Sequence, residues 1–264
     1  MVWVYKAMRT LILSDIHGNL DALDAVLTAA HGDHDDVWEL GDVVGYGAYP
    51  NECVERVRKL GKVHLRGNHD RVSSGLETPE SFNPAAAYAA IWTGLQLKPA
   101  NLEWLRGLPQ GPIYPNGTDV ALVHGSPFDE DEYIVTLGDA YDVLREQAAK
   151  ITFFGHTHLQ GGFSTNGRTW TEIVPRMRRS SNAAHWKIKL NLKGTMRYLI
   201  NPGSVGQPRD FDWRAAYAIF DDGDGDDAGE LIFHRIPYNV EAAQRGILNA
   251  GLPQRLAERL SLGR

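Results

Sequence analysis

Short apolar runs that stop at Gly, Asp, Asn or His recur along the chain, and in its first part they alternate with amphipathic stretches. Residues 10–14 read as a strand. Residues 19–30 follow as a helix, because Leu20, Leu23, Val26 and Leu27 recur at three- and four-residue spacing and make one apolar stripe. Residues 36–40 form the next strand. A strand, a helix and a strand in that order imply a parallel unit, which delivers the ends of both strands to one sheet edge. The beat repeats with a helix at 50–59 opened by Pro50, a strand at 63–65, a strand at 120–123, a helix at 140–147 and a strand at 151–154.

Between 79 and 115 the texture changes. Asn83-Pro84 starts an alanine-rich helix with Tyr88 and Trp92 four apart, and 102–105 suggests another short helix, so this stretch reads as a helical insertion packed beside the main unit. After residue 154 the helical beat stops. Segments 169–174, 185–192, 197–201, 215–220 and 231–236 alternate at period two or run apolar between turn signals, which predicts a second, largely antiparallel sheet facing the first. Residues 240–248 close the chain as a helix. The expectation is one α/β domain over 1–264, with the helical insertion at about 79–115 and a basic β-hairpin or flap at about 175–197.

The 264 residues suffice for a substantial core, and 43% hydrophobic with 23% charged residues is ordinary for a soluble globular protein. No apolar run approaches the roughly 20 residues of a membrane helix, and Met1 to Met8 resembles no export signal. The one cysteine, Cys53, has no partner for an internal disulfide and reads as a small buried or half-buried residue, which fits a cytoplasmic setting. A net charge of −6 argues against general nucleic-acid binding. The charge is uneven. Arg176, Arg178, Arg179, Lys187, Lys189, Lys193, Arg197 and Arg209 lie in a stretch without acids, leaving −14 for the rest of the chain. The lysines of 186–192 alternate with apolar residues and so form the wet face of a strand. Asp221 to Asp227 reads as a solvated hairpin tip, since no register matches a calcium loop.

Chemistry concentrates at the strand ends. Asp15 and His17 follow the first strand, and side chains two apart on an extended chain point the same way, although a turn with a helix cap at Asn19 explains the same letters. Four more ends of this kind follow: Gly41-Asp42, Gly67-Asn68-His69-Asp70, His124-Gly125 and Gly155-His156-Thr157-His158. A shared site explains all five together. Asp15, His17, Asp42, Asn68, His124, His156 and His158 offer seven oxygen or nitrogen donors, which suits two ions and a bridging carboxylate, for which Asp42 is the plausible group. The donor mixture favours Mn, Fe or Zn. Two divalent ions, two carboxylates and a bound hydroxide leave one positive charge, which attracts a phosphate ester even to an acidic protein. His69 diverges from its neighbour Asn68 and is free to serve as a general acid, with Asp70 orienting the imidazole and keeping it protonated.

This set of motifs resembles the calcineurin-like metallophosphoesterase family, in particular its short-chain bacterial and archaeal phosphodiesterase branch. Asn201-Pro-Gly-Ser204-Val-Gly is similar to a turn common in that branch. The resemblance implies an α/β fold of two facing mixed β-sheets, a β-sandwich flanked by α-helices in four layers. It implies one metal held by Asp15, His17, Asp42 and His158 and a second held by Asp42, Asn68, His124 and His156, with manganese, iron or zinc usual. Where the protein-phosphatase branch reads Gly-Asp-x-Val-Asp-Arg-Gly, this chain reads Gly41-Asp42-Val-Val-Gly45-Tyr46-Gly47 and lacks the phosphate-gripping Arg. Candidate substrate contacts are Arg66, for which a surface salt bridge is the alternative, Arg178, Arg179 and Arg209. The expected activity is that of a dinuclear-metal phosphodiesterase on small phosphate esters or nucleotides, with metal-bound hydroxide as nucleophile and His69 as acid. Its rivals are a phosphomonoesterase, a dinucleoside polyphosphate hydrolase and, from another class, a non-catalytic scaffold of the same fold such as a retromer subunit. His31, His34, His64, His185 and His234 lie outside the motifs and read as satisfied or solvent-facing.

Overall fold

A computed structural model of the chain describes residues 7–264 except 62, 116–117 and 224–227. The first residues and the acidic tip after Gly223, on which export and calcium were weighed above, lie wholly or mostly outside the described residues. In chain order the elements are β1 (Arg9–Leu13), α1 (Leu20–Ala29), β2 (Asp36–Glu39), α2 (Pro50–Val57), β3 (Val63–His64), α3 (Asn68–Ser73), α4 (Pro84–Gln96), α5 (Pro99–Arg106), β4 (Val120–Leu122), α6 (Leu137–Glu146) and β5 (Ile151–Phe153). There follow β6 (Gly161–Thr165), β7 (Trp170–Ile173), β8 (Ala184–Asn191), β9 (Arg197–Asn201), β10 (Ala215–Asp221), β11 (Ala228–Ile236), α7 (Val240–Asn249) and α8 (Gln254–Leu262).

Local chemistry sets the helix starts. Asn19 accepts from the Ala22 amide and Asn83 from the amides of Ala85 and Ala86, while Thr136 and Asp139 cap α6 reciprocally. Each cap satisfies amides that the first turn cannot. None of the helices in the described residues is long and apolar enough to cross a membrane.

Two mixed sheets result. The first runs β3-β2-β1-β10-β11-β8 and the second β4-β5-β9-β6-β7. β1, β2 and β3 are parallel, as are β4, β5 and β9; the remaining pairings are antiparallel. The sheets face each other across Ile12, Trp38, Leu40, Phe220 and Phe233 on one side and Leu122, Phe153 and Ile200 on the other. Helices α1, α2, α7 and α8 cover the outer face of the first sheet through Leu23, Val54, Ile247 and Leu256, and α6 covers the second through Val143 and Leu144.

The division of strands differs from a parallel sheet facing an antiparallel one. β4 and β5 leave the first sheet and nucleate the second, because both are buried throughout and β9 joins them in parallel. Residues 175–197 are also not a hairpin. β8 is an edge strand of the six-stranded sheet, with Trp186, Ile188 and Leu190 turned into the sandwich and Lys187 and Lys189 exposed, whereas β9 lies in the middle of the other sheet. The alternation of β8 is what draws it onto β11, since its apolar side chains are buried only there. The expected helices of the insertion appear over Pro84–Gln96 and Pro99–Arg106.

Candidate metal centre

Both sheets aim their parallel strands at one point. Parallel pairing of Leu13 with Glu39 places the loops after β1 and β2 side by side, where the Asp15, His17 and Gly18 amides donate to the carbonyls of Gly41, Asp42 and Val43 at 3.0, 2.9 and 3.0 Å. The loops after β4 and β5 arrive from the facing sheet. The Gly155 amide donates to the His124 carbonyl at 2.8 Å and the His156 amide to Asp15 Oδ1 at 3.2 Å. The turn at Asn201 ties the two sides together: Asn201 Nδ2 donates to the Gly155 carbonyl and Ser204 Oγ to the Asp15 carbonyl, both at 2.8 Å.

The backbone is strained where the loops bend back. Asp15, His17, Asp42, His156 and His158 all hold positive φ, between 52 and 64°, and so does Tyr46. For residues with a Cβ this region costs about 1–2 kcal/mol each, so five of seven nominated donors sit where chain sterics disfavour them. Glycines make room: a Cβ on Gly67 would strike the Asp42 carboxylate, and one on Gly155 would strike Ser14 Oγ and Asp15 Oδ2.

The donors converge in two sets that share Asp42. One ligand atom each from Asp15, His17, Asp42 and His158 lie within 4.8 Å of one another, and so do atoms from Asp42, His124 and His156. Asn68 joins the second set, its Oδ1 3.2 Å from His124 Nε2. All are buried. Asp42 Oδ2 stands between the sets, 3.5 Å from His17 Nε2 and 3.4 Å from His124 Nε2.

Second hydrogen bonds orient the rings. Nδ1 of His17, His124 and His158 donates to the carbonyls of Val44, Leu40 and Gln207 at 3.1, 2.8 and 2.6 Å, while His156 uses Nε2 on the Asp131 carbonyl at 3.1 Å. Each ring therefore turns its other nitrogen inward. His17 Nε2 and His158 Nε2 face each other at 3.0 Å. Two imidazole nitrogens at that distance share either a proton or a metal ion, and with both Nδ1 atoms donating outward the pair fits a metal.

Electrostatics agree. Burial opposes charge on Asp15 and Asp42, yet His158 beside the first and His124 beside the second hold both carboxyls well below the usual range. Burial also opposes charge on His124, but the Asp42 carboxylate beside it drives its pKa up to about 10. Burial pushes His17 and His158 down and His156 to about 3. Below them Glu39 is driven well above the carboxylate range, first by burial and then by Asp70.

The remaining nominated residues divide. His69 lies beside the cluster, its ring 4.9 Å from that of His17, 4.4 Å from Tyr46 and 4.6 Å from Phe82, and burial takes it to about 4. Asp70 does not touch that imidazole. Its oxygens accept from the amides of Asp42, Val44 and Gly67 at 2.7, 3.1 and 3.0 Å, so it braces the loops, with its pKa raised to about 7 by burial and then Asp42. Arg66 is held bidentately by Glu130 at 3.0 and 2.9 Å, which occupies the fork expected to grip phosphate. Arg178 and Arg179 are exposed on the loop before β8, and Arg179 donates to the Asp210 carbonyl at 3.1 Å. Arg209 alone of the four arginines reaches the cluster's neighbourhood, its amide bonded to the His158 carbonyl at 3.3 Å.

Four site neighbours escaped sequence reasoning: Tyr46, Phe82, Tyr133, whose ring lies 4.0 Å from His156, and Arg259 of α8. For Tyr46 a signal existed, because the flanking Gly45 and Gly47 mark a special backbone.

Residues 8–224 match the model of the calcineurin-like phosphoesterase superfamily domain. The chain belongs to that family. This phosphoesterase is 38% identical to a metallophosphoesterase from Sphaerobacter thermophilus of known crystal structure, with 98% of this chain and 100% of that one covered and a TM-score of 0.79. It is 37% identical to an uncharacterized protein of Methanocaldococcus jannaschii over 96% of this chain and 97% of the relative. Over 147 residues it is 31% identical to a symmetrical bis(5'-nucleosyl)-tetraphosphatase of Glaesserella parasuis, of which it spans about half, 51%. Like its family, it is a metal-dependent phosphoester hydrolase.

Proposed function

We propose that the protein is a phosphodiesterase acting on small phosphate esters or nucleotides, with Asp15, His17, Asp42 and His158 holding one divalent ion and Asp42, Asn68, His124 and His156 another. The observation that carries this reading is the pair of buried donor sets joined by Asp42. Manganese suits the mixture of carboxylate, amide and imidazole donors, with iron or zinc as the alternatives. When bound, such a pair supplies an activated water and Lewis acidity toward phosphoryl oxygens.

The chain's own residues supply the rest. His69, packed between Tyr46 and Phe82 beside His17, is the proton donor to the leaving alkoxide, a role that requires the bound phosphate anion to raise the imidazole from the pKa of about 4 that burial gives it. Asp70 fixes the Asp42 and Asn68 loops relative to each other, and Arg209 gives positive charge next to His158. The relatives named as symmetrical tetraphosphatases favour a nucleotide and support a dinucleoside polyphosphate hydrolase as the second reading.

Bis(4-nitrophenyl) phosphate and 4-nitrophenyl phosphate, assayed on manganese-loaded protein, separate the possibilities. The diester is expected to turn over faster, and a chelator to abolish the rate. A preference for the monoester would favour a phosphomonoesterase, and chelator-insensitive or absent hydrolysis of both would favour a scaffold.

A further inference from the structure

A cleft of about 540 Å³ opens at the end of the second sheet opposite the metal-binding loops, between α6, the turn joining β6 to β7 and the starts of β5 and β9. Its volume falls in the range of small-molecule sites, roughly 300–1,000 Å³. The cleft is separate from the donor cluster. Arg197 in its wall opens β9, whereas Asn201, which ties the metal-binding loops together, closes that strand, and four steps of extended chain put about 13 Å between them.

The walls combine aromatic surface with positive charge. Tyr141 of α6 and the half-buried Trp170 of β7 stand with ring centroids 4.6 Å apart at 32°. Three cations line the same cleft, and they are not equally engaged. Arg145 is neutralised by Asp142 at 3.0 Å and Glu146 at 2.6 Å. Lys150 and Arg197 meet no carboxylate among the described residues. Lys150 Nζ donates to the Leu192 carbonyl, and Arg197 uses Nη1 on the carbonyls of Leu144 and Arg145 at 3.0 and 2.9 Å, which leaves its Nε and Nη2 without a protein acceptor. The one acid in the lining, Asp119, accepts from the Lys150 amide at 3.3 Å and pairs with neither cation. In a chain of net charge −6 the balance here runs the other way, two unpaired cations against one carboxylate. A concave aromatic wall beside excess positive charge complements a ring that carries an acid group.

We propose that this cleft is a second ligand site, which takes a flat aromatic anion, its ring against Trp170 and Tyr141 and its acid group on Lys150 and Arg197. Arg197 supplies a planar fork and Lys150 a point charge, so a carboxylate, sulfonate or phosphonate is held equally well in kind. The site needs neither the metals nor the hydrolytic reaction.

Isothermal titration of manganese-loaded protein with naphthalene-2-sulfonate and with its neutral counterpart 2-naphthylmethanol tests this, on the wild type, Trp170→Ala and Lys150→Gln. The sulfonate is expected to bind saturably, about ten-fold more tightly than the alcohol, and to weaken about ten-fold in each variant. The alcohol is expected to respond to Trp170→Ala and not to Lys150→Gln. Hydrolysis of bis(4-nitrophenyl) phosphate is expected to stay at the wild-type rate in both variants, which also reports that they are folded. Should Trp170→Ala not fold, Tyr141→Ala, on the exposed side of α6, carries the same expectation. Absence of saturable sulfonate binding to the wild type overturns the site, as does binding that folded variants leave unchanged or equal affinity for sulfonate and alcohol. Loss of sulfonate binding in Asp42→Asn places the anion at the metal centre and overturns it as well.

Discussion

At the scale of single residues, the division of labour between His69 and Asp70 is sharper than their adjacency implies. His69 presents a ring beside the donors, whereas Asp70 spends both oxygens on three loop amides. His69→Ala is therefore expected to lower kcat roughly 10²–10³-fold on an ester with a poor leaving group and far less on one releasing 4-nitrophenolate, which needs no proton. Measuring both substrates distinguishes this from a general loss of site structure. Asp70→Asn is expected to cost about 1–3 kcal/mol in urea unfolding with chelator present, because at least one buried amide loses its acceptor. The seven donors were legible in the sequence because each interrupts an apolar run with a residue that packing does not require. Tyr46 and Arg259 were not, since a tyrosine in a turn and an arginine on an amphipathic helix have ordinary solvent-facing explanations. The left-handed backbone of Asp15, His17 and Asp42 is likewise a property of the folded loops, invisible in their letters.

At the scale of elements, buried charge fixes the basic loop before β8. Arg214, with no exposure, is paired through two nitrogens with Asp212, and donates to the carbonyls of Asn182 at 2.6 Å and Arg178 at 3.2 Å. Arg214→Met is expected to destabilise the fold by about 3–5 kcal/mol and to expose residues 175–183 to limited proteolysis, since Asp212 and two carbonyls lose their partner. On β11, His234 stacks on Tyr217 at 4.5 Å, and burial lowers its pKa from 6.5 to about 4. Between those values the unfolded chain binds a proton that the folded chain refuses, so stability falls as pH drops from 6.5 toward 4. His234→Phe is expected to flatten that loss by on the order of 1 kcal/mol, allowing for the partial exposure of the ring, in melts at pH 7 and 4.5. The helices and the strands that end at donors were readable from periodicity and caps. β6 was not, because Gly161 and Gly162 leave it too few apolar positions to alternate, and sheet membership of β4, β5 and β8 depends on partners distant in the chain.

At the scale of the whole molecule, two half-sites carried by two sheets meet at one carboxylate. Folding brings together Asp15 and His158, 143 positions apart in the sequence, at 3.3 Å, and strains the loops in doing so. Bound cations offset that cost, so saturating manganese is expected to raise the melting temperature of chelator-treated protein by several degrees, about 2.7 kcal/mol per site at a hundred times Kd. Asp42→Asn, which removes the shared charge, is expected to shrink that shift. The most direct measurement is anomalous diffraction from crystals grown with manganese. Two peaks about 3.5–4 Å apart are expected, one within bonding distance of Asp15, His17 and His158, the other of Asn68, His124 and His156, with Asp42 reaching both. A single peak, or two peaks that do not share Asp42, would contradict the account.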